Sequence, residues 1–312
     1  MKNKKLTITI GIPAFNEEAN IGYLLSSLLT QRTKGFTIGK IIIVSDGSTD
    51  RTDEIVKKFK NRGVSLEVNT NRSGQAISQN RIIKGCKSEA LVLLNADIAI
   101  VGRYFINNMV SPIFKDNADL ISSALGAVKP DKATEKIIHA GLKIRMYMFD
   151  RYKNGQSVHT CFGVARAFSK RFYKRFRFKG SVSEDAYSYF SCKKLGYKYL
   201  HVNNAVALIK LPDNLKDHER QSLRNVRGKR LLAKEFGKPF VEEEYKGINF
   251  FFNMPFSLIA RGVIRSMLLS PGYTLAYLGV QFWIRLKSLG VGQTEDTWEM
   301  AKSSKSLHKS KI

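Results

Sequence analysis

Two aspartates stand where apolar runs stop: Asp46 closes KIIIVSD (40–46) and Asp97 closes ALVLLNAD (90–97). An unpaired carboxylate inside a buried strand is costly or becomes neutral, so each is expected to emerge where its strand ends. A third acidic pair, Glu184 and Asp185, opens SVSEDAYSYFSCKKLGY (181–197), which reads as a helix starting on Ser183. There the helix dipole alone would favour negative charge. Together such carboxylates suit a reaction in which a nucleoside diphosphate leaves. That reaction needs a hard cation, Mg2+ or Mn2+, which prefers carboxylate oxygen, phosphate and water, and Asp97 suits that role. Asp46 could accept from the base or ribose, and Asp185 or Glu184 could take the proton of an attacking hydroxyl. Helix capping by Ser48, Thr49 or Asp50 explains part of SDGSTDRTDE but not Asp46, which precedes them.

The elements needed to position these groups follow from periodicity. LTITIGI (6–12), KIIIVSD (40–46), VSLEV (64–68) and ALVLLNAD (90–97) read as strands, each followed by an amphipathic helix, over 17–31, 50–62, 75–86 and about 102–114. This alternation predicts an α/β fold, a parallel sheet with right-handed crossovers, and ligands at the carboxyl ends of its strands. Beyond residue 124 the order loosens: a helix over 133–150, a short strand around 161–168, and a basic helix over 211–237.

Net charge is +26, from 52 Lys and Arg against 26 Asp and Glu, which points to an anionic partner without choosing among nucleic acid, phosphorylated small molecules and lipid. ARAFSKRFYKRFRFKG (165–180) carries seven basic residues and no acid, with Phe and Tyr interleaved. It could stack on bases, line an acceptor or lie on a membrane. SMLLSPGYTLAYLGVQFWI (266–284) has no charged residue and is flanked by Arg261, Arg265, Arg285 and Lys287. Pro271-Gly272 interrupts it, so interfacial or re-entrant helices are expected over 238–295, with a basic flexible tail at 296–312. Cys86, Cys161 and Cys192 have no metal-ligand spacing and are expected to be reduced structural thiols. The N-terminus shows no signal-peptide pattern, and the expected location is the cytoplasmic face of the cell membrane.

PAFNEE (13–18), VSDGSTDRT (44–52), NAD (95–97), the Glu184-Asp185 pair and QSLRN (221–225) together resemble the family 2 glycosyltransferases of GT-A fold, most of all the membrane-associated hyaluronan, chitin and cellulose synthase relatives. The resemblance covers about residues 6–232 and implies a GT-A domain over 1–237, with a nucleotide-binding half (1–123) and an acceptor half (124–237). It implies that Pro13, Phe15, Asn16 and Glu17 line the nucleotide pocket, that Asp46 contacts the base, and that Asp97, with Asn95 and Ala96, forms a DxD-type motif. It further implies that Asp185 is the general base beside Glu184, and that Gln221 and Arg224 hold the donor diphosphate or acceptor. The implied activity is inverting, metal-dependent transfer of a sugar, from UDP by family habit, to a hydroxyl of a glycan or lipid-linked acceptor. Asn95 replaces one carboxylate of the DxD motif, and Asn225 stands where processive members carry Trp, which favours transfer of single sugars. His218, three residues before Gln221, is a candidate further metal ligand.

Three rival readings remain. A nucleotidyltransferase would carry a Gly-rich basic loop after the first strand, where this chain has the acidic PAFNEE. A polyprenyl-phosphate sugar synthase would share the first motifs but place a polar, Pro-containing segment where IAIVGRYF follows Asp97. A nucleic-acid-binding protein would explain the charge but not carboxylates at strand ends.

Overall fold

The apolar runs form strands because both faces of each are covered. In β1 (Leu6–Ala14), Ile8, Ile10 and Ile12 are fully buried, and every residue of β4 (Ala90–Leu94) is buried as well. With β2 (Phe36–Ser45) and β3 (Val64–Val68) they make a parallel sheet in the order β3-β2-β1-β4. The crossovers are α1 (Ile21–Leu29), α2 (Thr52–Lys57) and α3 (Gln75–Gly85). The computed structural model describes residues 6–180, 183–245 and 254–289, with Leu307; the side chains of residues 225–227 and 289 lie outside it, as does most of the expected 296–312 tail.

The helices are shorter than their periodicity suggests. The first begins at Ile21 rather than 17 because Asn16 takes a left-handed conformation (φ 53°) and the Glu17 carbonyl accepts from the Asn20 and Ile21 amides. The second stops at Lys57, and a tight turn over Lys60–Arg62 ends on Gly63.

After β4 the chain runs through β5 (Ile98–Ile100) and α4 (Phe105–Lys115) into β6 (Leu120–Ala127), then leaves through α5 (Ala133–Arg151) and returns as β7 (Ala165–Ser169). α6 (Lys170–Arg175), α7 (Glu184–Lys194) and β8 (Tyr199–Ile209) complete this part. The finished sheet has eight strands, β3-β2-β1-β4-β7-β6-β8-β5; β7 is antiparallel to β4 and β6, and β5 to β8. The sheet is therefore parallel over its first four strands, with antiparallel pairing at β4–β7, β7–β6 and β8–β5. β8 escapes the sequence reading because exposed Asn203 and Asn204 interrupt its apolar alternation.

Two compact units result, one of Met1–Gly126 with Thr160–Ile209, the other of Ala127–His159 with Lys210–Ile312. This division departs from the expected boundaries after 123 and 237. The reason lies in α5, whose Ile144 and Met148 share a core with Met254, Ile259 and Tyr277. Gly141 makes room for that core, since a Cβ there would stand 2.0 Å from the Tyr277 ring. The second unit also holds α8 (Leu215–Phe236), α9 (Lys238–Glu244), α10 (Phe256–Leu269) and α11 (Pro271–Leu289). The apolar 266–284 segment is thus broken at Ser270, and Ser266 and Thr274 tie the two helices by a 2.7 Å hydroxyl contact.

α3 lies so close to β1 that a Cβ on Gly11 would sit 2.2 Å from Ile82 Cγ2 and 3.1 Å from Leu93 Cδ2. Gly11→Ala should lower stability by about 1–3 kcal/mol through overpacking, read as a fall in the urea midpoint. An unchanged midpoint would show that α3 yields without cost.

Candidate active site

The carboxyl ends of β1 to β4 all open on one edge of the first unit, and the loops there are built from each other. After β1, Asn16 accepts from the Thr49 amide through Oδ1 (2.8 Å), and its own amide donates to Ser48 Oγ (3.1 Å). The Glu17 amide donates to Thr52 Oγ1 (2.8 Å). Ser48 and Thr49 thus serve the first loop rather than α2, and Asp50 Oδ1 accepts from the Thr52 amide at 3.0 Å, while the N-cap position itself falls on Arg51 and has no side-chain cap, unlike the capping expected of this run. The Glu17 carboxylate is buried and accepts from Asn20 Nδ2 (2.8 Å), which makes Glu17 a residue that starts α1. Phe15 lies at the rim with the Arg72 guanidinium 4.5 Å above its ring.

Asp46 is buried directly after β2 and accepts three hydrogen bonds: Asn69 Nδ2 (2.8 Å) and the Ser73 amide (2.9 Å) on Oδ1, and the Gly74 amide (2.8 Å) on Oδ2. These bonds draw the segment between β3 and α3 across the sheet edge. Gly47, left-handed at φ 74°, lies flat beneath it, where a Cβ would stand 3.0 Å from the Arg72 amide. Asp46 therefore organises the loop that carries Arg72. The sequence reading gave no role to 69–75, although its Asn, Ser, Gly composition signals a loop that needs anchoring.

The next residue of that loop continues the link, because Gln75 Nε2 donates to Asn95 Oδ1 (3.2 Å). Asn95 in turn donates its amide to the Val164 carbonyl (2.9 Å), immediately before β7. Ala96 sends its methyl into the core, leaving only its backbone at the edge, and Asp97 follows, half-buried, between β4 and β5. Beside Val164, the Gly163 position faces α7: a Cβ there would stand 3.4 Å from Asp185 Cβ. The strand end bearing Asp97 and the first turn bearing Glu184 and Asp185 therefore both border Gly163–Val164. Pro13, Phe15, Asn16, Glu17, Asp46, Asn95, Ala96, Asp97, Glu184 and Asp185 all belong to this first unit.

Gln221, Arg224 and His218 lie on α8 of the second unit. His218 is buried, its Nε2 is 3.2 Å from Gln281 Nε2, and burial followed by the Arg145 charge pulls its pKa down to about 4. No group of three His, Cys, Asp or Glu among the described residues is arranged to hold a metal, and the His218 ring lies 6.5 Å from that of Tyr277. The basic run also changes character. Phe172, Phe176 and Phe178 are buried against one another in tilted and edge-to-face contacts, with centroids 5.0 and 4.6 Å apart, and Arg171 pairs with Asp119, so these three rings offer no face to a nucleobase. Cys86, Cys161 and Cys192 are free and buried, and burial pushes the Cys161 thiol up to about 12.

A family model described as Glycosyl transferase family 2 matches residues 9–177, more than half of the chain. The chain belongs to glycosyl transferase family 2. Among curated proteins, this family 2 chain is 35% identical over 97 residues to the poly-beta-1,6-N-acetyl-D-glucosamine synthase of Staphylococcus epidermidis, covering 30% of this chain and 22% of that protein. It is 23% identical over 214 residues to glycosyltransferase GlyA of Streptococcus pneumoniae, covering 64% of this chain and 30% of the relative. The chain thus spans less than a third of the length of these relatives. In fold it is similar to the mannosyltransferase PcManGT from Pyrobaculum calidifontis, solved with GDP-Man and Mn2+ (TM-score 0.61, 18% identity, 90% of this chain and 84% of that one). It is also similar to glucosyl-3-phosphoglycerate synthase from Mycobacterium tuberculosis, solved with Mn2+, UDP and glucosyl-3-phosphoglycerate (TM-score 0.54, 17% identity, 74% and 80%). Glu184, Asp185 and α8 lie beyond the residues that the family model matches.

The donor set fits a cation brought with a substrate. One carboxylate, Asp97, and the amide of Asn95 stand at the strand end, and a hard divalent ion completes its shell with phosphate and water rather than an all-protein cage.

Because Asp46 Oδ1 and Oδ2 hold three donors, Asp46→Ala should cost about 3 kcal/mol of stability and weaken nucleoside diphosphate binding together. Asp46→Asn, which keeps one acceptor oxygen, should fall between. Urea titration and calorimetry read the two effects; undiminished nucleotide affinity in Asp46→Ala would separate the 69–75 loop from the ligand.

Proposed function

We propose that the chain is an inverting hexosyltransferase that moves a sugar from a nucleoside diphosphate, with uridine as the base, to a hydroxyl of a glycan or lipid-linked acceptor in polysaccharide biosynthesis. The observation that carries this reading is that the Asn95–Asp97 strand end, through the Asn95 amide, and the first turn of α7, through Asp185, both border Gly163–Val164, at the strand edge where parallel α/β sheets bind ligands. Phe15 and Arg72 would flank the base, and the 69–75 loop anchored on Asp46 would border the ribose and diphosphate. A divalent cation shared by Asp97 and the donor phosphates would neutralise charge as the diphosphate leaves.

Asp185 would accept the proton of the acceptor hydroxyl, whose oxygen then attacks the anomeric carbon from the face opposite the diphosphate. The bond from that carbon to the phosphate oxygen breaks as the new C–O bond forms, and one displacement inverts the centre. The Gln221 and Arg224 roles on the donor side carry over from the family resemblance.

The second unit supports a membrane location. No helix of the described residues is long and apolar enough to cross a bilayer. α11 turns Thr274, Tyr277 and Ile284 inward yet exposes Leu275, Phe282 (65%), Trp283 and Leu286, and α10 exposes Ile264 and Leu268 (82%) beside Arg261 and Arg265. Lys287 sits 5.2 Å from the Trp283 ring. A broad apolar face edged by cations and an indole suits the headgroup region of an anionic bilayer, on the cytoplasmic side. The same face favours a second reading, transfer to a polyprenyl phosphate, whose product would be a sugar on a lipid phosphate.

Two measurements test the function. A melting-temperature screen of nucleotide sugars with and without Mn2+ should show a rise with one UDP-sugar that requires the ion and is lost in Asp97→Asn. Asp185→Asn should keep that rise while turnover falls by about 10²–10⁴-fold; equal loss of binding would reduce Asp185 to a structural residue. Cosedimentation tests the location: binding to vesicles containing phosphatidylglycerol should exceed that to phosphatidylcholine alone and drop at least about tenfold in Leu275→Glu/Phe282→Glu, as two lost apolar anchors imply. Equal recovery with both lipids, or with the double variant, would contradict it.

A further inference from the structure

Arg166, on β7, has none of its surface exposed. Burying a guanidinium is costly unless its donors are met, and here only some are. Nη1 donates to the Glu184 carbonyl (2.6 Å) and to Ser188 Oγ (3.0 Å), whereas Nε and Nη2 are buried without an acceptor among the described residues. The rings of Phe178 and Phe168 lie 5.4 and 5.8 Å away. Burial works against the charge, while Cys161, Asp185 and Glu184 favour it. Replacing a buried ionic group by an apolar side chain of similar volume is often close to neutral in stability, the relieved desolvation here offsetting the loss of a donor to the Glu184 carbonyl and Ser188 hydroxyl. A role other than packing accounts for the charge.

Both Nη1 bonds fall on one turn. Ser188 Oγ, which accepts from Arg166, donates onward to the Asp185 carbonyl (2.7 Å), and Cys161 Sγ reaches the same carbonyl at 3.4 Å. That turn follows Ser183, which is left-handed at φ 48° and gives α7 no side-chain cap. Lacking that cap, the first turn of α7 is held from within the sheet, by β7. The strand that carries Arg166 also pairs with β4, whose end bears Asp97.

We propose that Arg166 is a positioning residue: its guanidinium grips the Glu184 carbonyl and the Ser188 hydroxyl so that Asp185 is presented to the acceptor hydroxyl in one orientation. This rests on the reading of Asp185 as the base. A displacement of about 1 Å at such a group is enough to cost on the order of 10²-fold in rate.

The test is a double-mutant cycle on the full chain, with turnover expressed per nucleoside diphosphate binding site so that loss of folded protein is removed. Arg166→Met should melt close to the wild type, keep stoichiometric nucleotide binding and donor KM, and lose about 10–100-fold in kcat. In the Asp185→Asn background the same substitution should cost nothing further. Arg166→Lys and Ser188→Ala, which each keep part of the contact, should give intermediate kcat and serve if Arg166→Met does not fold. An equal loss in both backgrounds, or a fall in melting temperature with per-site kcat unchanged, would overturn the proposal. If Asp185→Asn alone leaves kcat unchanged, the base assignment fails instead.

Discussion

The site depends on how a carboxylate is accommodated at the end of a buried strand. Asp46 leaves β2 with its oxygens out of water, and an acceptor so placed must find donors. It finds them in Asn69, Ser73 and Gly74, and in doing so fixes the loop that bears Arg72 and, through Gln75, touches Asn95. Gly47 permits the approach because it has no Cβ and takes a left-handed conformation. The loop that bears Arg72 and the strand end that bears Asp97 are thus joined by consecutive residues of one segment.

The parallel half of the sheet and its crossover helices could be read from the sequence because strand and helix periods alternate there without interruption. The acids at strand ends could be read for the same reason: Asp46 and Asp97 break apolar runs that otherwise predict burial. What could not be read were contacts between segments distant in sequence. Glu17 turned inward to start α1, Ala96 joined the core, and the aromatics of 165–180 packed on each other instead of facing a ligand. Nothing in a basic run announces that its rings are buried, since Phe at that spacing suits a core and a stacking platform equally. Arg166, inside that run, gave no local signal because its partners lie eighteen or more residues away on α7.

The departure at the domain level has a similar cause. Residues 127–159 and 210–237 read as part of one domain with the sheet, although the polar, Pro-containing KPDK (129–132) and LPDN (211–214) stand at the two crossings between the units. α5 buries Ile144 and Met148 with Ile259 of α10 and Tyr277 of α11, a pairing decided by side-chain fit across more than a hundred residues. The exposed apolar stripe of α11 is the converse case: charge-free composition foretold an unusual helix, while the break at Ser270 and the direction of each side chain came only with the fold.

The most direct measurement is photolabelling with a nucleoside diphosphate bearing a reactive group on its base, followed by peptide mapping. Label confined to the loops around Phe15, Asp46–Thr49 and Asn71–Gln75, and displaced by the unmodified nucleotide, is the predicted result. Label concentrated on 165–180 or on α8, with those loops unmarked, would contradict a nucleotide site at the strand ends.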